Sequence, residues 1–121
     1  MPSPLRLTRI NDRFQQELSM MFARNEVRDP RVAGTTVTEV KVDREFSYAE
    51  IYVSAVEGVS RSEEILKGLE SATPFIRKYL SDRILLRSFP RLRFHWDITL
   101  ERADRIEQII ASIHAEDQKP K

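Results

Sequence analysis

A proline interrupts an amphipathic pattern that otherwise reads as one long helix. Between Ser60 and Arg93 the chain runs SRSEEILKGLESATPFIRKYLSDRILLRSFPRLR. Ile65, Leu66, Leu69, Ala72, Ile76 and Leu80 recur at three- and four-residue steps, which places them on one helical face. Ser60 and Glu63 have the spacing of a capping box at its start. Pro74 has no N–H to donate, and its ring meets the carbonyl of Glu70 four residues back. In a helix interior that costs about 3 kcal/mol. The pattern therefore predicts two helical arms meeting at a break around Ala72, Thr73 and Pro74. Beyond the break acidic residues almost disappear, so the fold has to place a basic second arm.

The flanking segments have simpler signals. Ile10, Phe14, Leu18, Met21 and Phe22 share a helical stripe and predict a helix from Arg6 to about Ala23. The Asp29-Pro30 step and Gly34 end it with turns. TTVTEVKVD (35–43) and YAEIYVSAV (48–56) alternate as half-buried strands, with Ala49, Ile51, Val53 and Ala55 on one face. Their short connector predicts an antiparallel hairpin. FHWDI (94–98) predicts a third strand after the Pro90 turn, and a long crossover allows it to run parallel to a hairpin strand. Ile106, Ile109, Ile110 and Ile113 predict a last helix from Leu100 to about Ala115. The economical packing is α+β, a three-stranded sheet with helices on one face. All 121 residues are expected in one domain, with a core of about 6–115 and a flexible tail at 116–121.

Composition excludes several classes of function. No apolar run approaches the roughly 18 residues of a membrane helix, and no cysteine is available for disulfides, thiolate metal sites or nucleophilic catalysis. These features fit a cytoplasmic protein. The net charge of +1 conceals a segregation. In residues 74–96, Arg77, Lys78, Arg83, Arg87, Arg91 and Arg93 stand against Asp82 alone, whereas residues 39–70 carry eight acids and four bases. Arginine suits bidentate phosphate contacts and stacks on bases. With Arg6, Arg9 and Arg13 on the first helix, the basic arm has the electrostatic footprint of a nucleic-acid surface. An ordinary solvated basic face is the simpler reading of the same residues.

Candidate chemistry is sparse. His95 and Asp97, two apart, could form a base and its orienter, but no nucleophile accompanies them, and no enzyme activity is expected. His114 sits where a helix dipole favours a cation. No spacing indicates a metal site or a phosphate-binding glycine loop, so neither metal nor cofactor is expected. Phe94 and Trp96 are expected in the core. Phe89, between Arg87 and Arg91, is the better candidate to stack on an unpaired base.

Three stretches then carry a family resemblance: VRDPRVAGTTVTEVKVDREFSYAEIYVSA (27–55), LESATPFIRKYL (69–80) and LRSFPRLRFHWD (86–97). The Asp29-Pro30-Arg31 turn, the Tyr48-Ala49 strand start and the Pro90 turn before FHWD are the most recognisable features. In order and spacing the chain resembles the ribosome-binding factor A family over about residues 6 to 113. The resemblance implies a type II KH-like fold in which a helix–kink–helix, commonly marked Ala-x-Gly, replaces the usual KH Gly-x-x-Gly loop. Ala72-Thr73-Pro74 occupies that place, with Pro74 where the family has glycine. It also implies a monomeric, non-catalytic cytoplasmic factor. Such a factor binds the free small (30S) ribosomal subunit late in assembly, near the 5′-terminal helix of its 16S rRNA, and supports 5′-end processing.

The residues expected to touch RNA are Arg6, Arg9, Arg13, Arg77, Lys78, Arg83, Arg87, Phe89, Arg91 and Arg93. The alternative is a protein-interaction module in which the acidic hairpin, with Tyr48 and Tyr52, docks a ribosomal protein.

Overall fold

A computed structural model describes residues 3–99. The expected helix over 100–115, His114 and the tail lie outside the described residues. Helix α1 spans Pro4–Ala23, β1 Thr36–Val42, β2 Tyr48–Ser54, α2 Ser62–Arg83 and β3 Arg91–Trp96. Short 3-10 turns at Pro30–Val32 and Val59–Arg61 lead into β1 and α2.

Local chemistry accounts for the element ends. Ser3 caps α1 by accepting a hydrogen bond from the Arg6 amide at 3.2 Å, and Pro4 sits in the first turn, where no donor is lost. The expected capping box of α2 does not form. The cap position is Arg61, one residue past the expected Ser60, and it makes no side-chain cap bond. Ser60 instead directs its hydroxyl to the Glu57 carbonyl. In the hairpin turn, Asp43 accepts from the amides of Ser47 and Tyr48 at 2.6 and 3.2 Å.

The sheet order is β1-β2-β3, with β1–β2 antiparallel and β2–β3 parallel. The hairpin and the parallel crossover both match the sequence pattern. β3 starts at Arg91, three residues before the expected Phe94, because Ser47 provides the carbonyl that receives the Arg91 amide at 2.9 Å. Val37, Val40, Val42, Ala49, Ile51 and Val53 are buried on the inner face against Phe14, Leu18 and Met21 of α1 and Ile65, Leu69, Ile76 and Leu80 of α2. Leu92, Phe94 and Trp96 pack against this core, as expected of the two aromatics.

Helix α2 corrects the expectation of two separate arms. It is a single α-helical run of 22 residues with Pro74 inside it. The buried stripe continues across the proline, from Ile65 and Leu69 to Ile76 and Leu80, all at 0% exposure. Burial of side chains this size stabilises by roughly 1.5–3 kcal/mol each, more in sum than the proline costs. Pro74 and Glu70 both lie on the exposed side, where water can serve the carbonyl the ring leaves unpaired. Thr73 donates its hydroxyl to the Leu69 carbonyl at 2.8 Å in the same turn.

Gly68 fixes where α2 sits. A Cβ there would lie 2.8 Å from Cγ1 of buried Val32 and 3.0 Å from Cβ of Arg31, so the Pro30–Val32 turn packs directly on the helix backbone. Arg61 ties the same turn down by donating to the carbonyls of Ala33 at 2.6 Å and Arg31 at 3.2 Å. Alanine is the better helix former by about 1 kcal/mol, but overpacking costs about 1–3 kcal/mol. Gly68→Ala is therefore expected to lower the urea unfolding midpoint. An unchanged or raised midpoint would show that the turn yields freely.

Candidate nucleic-acid interface

Two of the expected basic groups meet at the contact between α1 and α2. Glu17 of α1 is only 7% exposed. Its carboxylate receives Arg13, one turn before it, at 3.1 Å, and Arg83 from the end of α2 at 3.9 Å. Arg13 also donates to the Arg83 carbonyl at 3.4 Å. The Arg83 guanidinium lies over the Tyr79 ring, 3.5 Å from its centroid, and donates to the Tyr79 carbonyl. One buried carboxylate thus holds two arginines side by side, and both keep exposed surface. Arg6 and Arg9 are exposed on the preceding turns of α1.

Further along α2, Arg77 donates to the Phe89 carbonyl at 3.3 Å and places its guanidinium 5.6 Å from the Phe89 ring centre. The Phe89 ring packs on Phe14 at 5.5 Å. That placement makes Phe89 a support for Arg77 rather than an open stacking platform. Lys78, opposite Asp82 at 3.4 Å, is largely exposed. With Thr73, Pro74, Arg77 and Ser81 it lines a shallow groove beside the proline. Arg87 is exposed in the loop before β3.

Arg91 and Arg93 are placed elsewhere. They pair in register with Tyr48 and Glu50 of β2, while Leu92 and Phe94 pair with buried Ala49 and Ile51. The pleat therefore puts the two arginines on the outer sheet face, away from the helices. Arg93 is ion-paired with Glu50 and lies 3.7 Å over the Tyr48 ring. His95 bonds the other Glu50 oxygen and packs against Tyr52 at 5.2 Å. Burial opposes charge on Glu50, but the hydrogen bonds from His95 and Arg93 outweigh it and hold its carboxyl below the usual range. The expected single basic patch is thus two surfaces, one on the helices, where Arg6, Arg9, Arg77 and Arg87 have no ion-pair partner among the described residues, and one on the sheet, where Arg93 is tied to Glu50.

His95 and Asp97 do not form a dyad. Asp97 lies past the end of β3 and accepts from the Thr38 hydroxyl and the Thr99 amide. Thr38 sits at the irregularity in the β1–β2 register, and its carbonyl receives the Gln15 side chain at 3.3 Å. Among the described residues no group of His, Cys, Asp and Glu could hold a metal ion, and no helix is long and apolar enough to cross a membrane.

One feature had no distinct signal in the sequence. Arg24, Glu26 and Arg28 follow α1 and face Ala72, Phe75, Tyr79 and Arg83 of α2 across a cleft of about 720 Å³. The two arginines belong to the N-terminal segment, whose positive balance gave no hint of a neighbour so far along the chain.

An α-β-β-α-β chain with a three-stranded mixed sheet, helices on its inner face and arginines outside belongs to the KH-like class of α+β folds. The sequence profile of ribosome-binding factor A matches residues 6–110. The ribosome-binding factor A of Chromohalobacter salexigens is 39% identical over 115 residues, covering 93% of this chain and 87% of that one. That of Thiobacillus denitrificans is 38% identical over 114 residues, covering 94% and 91%. The chain belongs to the ribosome-binding factor A family. Among solved structures, the crystal structure of the Thermus thermophilus factor superposes with a TM-score of 0.63 at 25% identity, covering 74% of this chain and 93% of that one. A homology model of the Thermus thermophilus factor, fitted into a cryo-EM map of a 30S complex, gives 0.57 at 25% identity, covering 72% and 90%.

The Asp97 contacts make a pH prediction. Its carboxyl is held below the ordinary 3.8, first by the Thr38 hydroxyl and then by Thr99. A depressed folded value contributes stability above the ordinary carboxylate range and loses it as pH falls through the folded value. Thr38→Val is expected to move the Asp97 midpoint up toward 3.8 in an NMR carboxyl titration and to bring acid unfolding to higher pH. A midpoint that stays put would assign the depression to Thr99 instead.

Proposed function

We propose that this protein binds the free small ribosomal subunit late in its assembly, contacting 16S rRNA in the region of its 5′-terminal helix. It supports 5′-end processing of that RNA without catalysing it, and it works in the cytoplasm. Family membership supports the class of function. The observation that carries the surface assignment is the meeting of Arg13 and Arg83 on buried Glu17, which joins the basic face of α1 to the basic half of α2. Arg6, Arg9, Arg77, Lys78 and Arg87 extend that face toward phosphates. Binding stabilises one conformation of immature RNA by preferring it over the others. The rival docking of a basic protein on the acidic hairpin is less favoured, because Glu50 is occupied by Arg93 and His95 and Glu39 faces Lys41 at 3.7 Å.

Arg83 is a poor test residue, since Glu in its place would face Glu17 and disturb the fold. Lys78→Glu with Arg87→Glu avoids this. In gradient co-sedimentation with cell extract, the unaltered protein is expected with free small subunits and not with translating ribosomes. The double variant is expected to lose most of that association. The slope of binding against salt should fall by about one per phosphate contact removed. Unchanged association would move the interface off α2.

Pro74 gives a second test. Pro74→Ala restores the donor facing Glu70 and should raise stability by up to about 3 kcal/mol, and is expected to weaken subunit binding if the proline sets how the basic half of α2 is aimed. Pro74→Gly should leave binding intact. Equal binding by all three forms in the same gradients would remove the proline from the mechanism.

A further inference from the structure

Helices α1 and α2 do not cover the whole inner face of the sheet. On β1 and β2 the inward valines, Ala49 and Ile51 are at most 7% exposed. On β3 the corresponding residues, Leu92, Phe94 and Trp96, are only half-buried. Leu66 of α2 is half-buried beside them, and with Leu92 and Phe94 it lines a groove of about 340 Å³ between α2 and β3. Glu70 stands on the α2 wall of this groove, exposed and without an ion-pair partner among the described residues. A sheet face left apolar and open along one strand calls for a covering element.

We propose that residues 100–113 of this same chain form a helix that docks in the groove, with its isoleucines on Leu66, Leu92 and Phe94 and with Arg105 beside Glu70. The inference stands independently of the RNA-binding reading. Where the chain leaves β3, the Asp97 amide donates to the Val53 carbonyl at 2.8 Å, and the Asp97 carboxylate accepts from the Thr99 amide at 2.9 Å. The second bond is the one a helix N-cap makes, and the chain is already helical at Thr99. In the sequence beyond, Ile106, Ile109, Ile110 and Ile113 share one helical stripe, bordered by Arg105 on one side and Glu107 on the other. Fourteen helical residues span roughly 21 Å, which matches the roughly 20 Å of a six-residue strand such as β3. A right-handed β2–α2–β3 crossover puts α2 on one side of the groove and the free edge of β3 on the other. For a helix running back along β3 with the stripe toward the sheet, the Arg105 side then faces α2 and Glu70, and the Glu107 side faces the edge that carries Arg93. The outer sheet face is the wrong partner for isoleucines, since it presents Glu50, Arg91 and Arg93.

The test uses the full-length chain, which has no cysteine of its own, so a single introduced thiol can carry a nitroxide spin label. Gln108 falls opposite the isoleucine stripe at helical spacing, so labelled Gln108→Cys leaves the docking side untouched. In amide NMR spectra the label is expected to broaden Leu66, Glu70 and Phe94 most strongly. Ile106→Asp combined with Ile110→Asp should abolish that broadening and shift the signals of Leu66, Leu92 and Phe94, while those of Tyr48 and Tyr52 stay in place. Broadening that is strongest at Tyr48 and Tyr52 would put the segment on the outer sheet face and overturn the proposal. Broadening strongest at 24–29 would put it in the cleft on the opposite flank of α2, with the same consequence. The absence of any broadening, or broadening that survives the two aspartates, also sinks it. A mixture of spin-labelled protein with isotope-labelled, unmodified protein covers the remaining occupant. Broadening of Leu66 and Phe94 in that mixture would assign the groove to a second copy of the chain instead.

Discussion

Helix α2 is held to the sheet by an apolar stripe that does not stop at its proline. Ile65 and Leu69 before Pro74, and Ile76 and Leu80 after it, are all fully buried. The competition is between one missing hydrogen bond on the wet side of the helix and a continuous row of contacts on the dry side. The contacts win. Everything that depends on the second half of α2 follows: Arg83 reaches Glu17 of α1, and Arg77 reaches Phe89. A chain that ended its helix at Ala72 would leave those residues without a fixed position.

The sequence made the periodic parts of this architecture readable and the competitive parts not. The α1 stripe, the hairpin and the parallel third strand follow from spacing and loop length, which are local properties. Whether a proline ends a helix or sits within it depends on what the helix packs against, and that is not local. The capping box failed for a similar reason. Arg61 is drawn to the carbonyls of the Pro30–Val32 turn, so the chain enters α2 through a 3-10 turn, not through a Ser60 cap.

Charge was legible as an amount and not as a direction. Arg91 and Arg93 are close to Arg87 in the chain, but a strand's two-residue alternation sends them to the far side of the sheet, where Glu50 waits on the neighbouring strand. Conversely, Arg13 and Arg83 are 70 residues apart and end within hydrogen-bonding distance of one another. Phe89 is an aromatic among arginines in the chain, but its ring faces Phe14 as well as Arg77. Arg24 and Arg28 carry no such local signal, because the wall they face comes from α2.

Asn11 and Gln15, two polar residues of α1, reach the strand beside them. The Asn11 side chain accepts from the Val42 amide at 2.9 Å, and Gln15 donates to the Thr38 carbonyl at 3.3 Å. β1 is an outer strand of the sheet, and open backbone groups on such a strand invite pairing with another chain. At the opposite margin, β3 carries Arg91 and Arg93 in its place. Two backbone groups of β1 are thereby taken up by amide side chains, and β3 carries charge, both of which discourage sideways growth of the sheet.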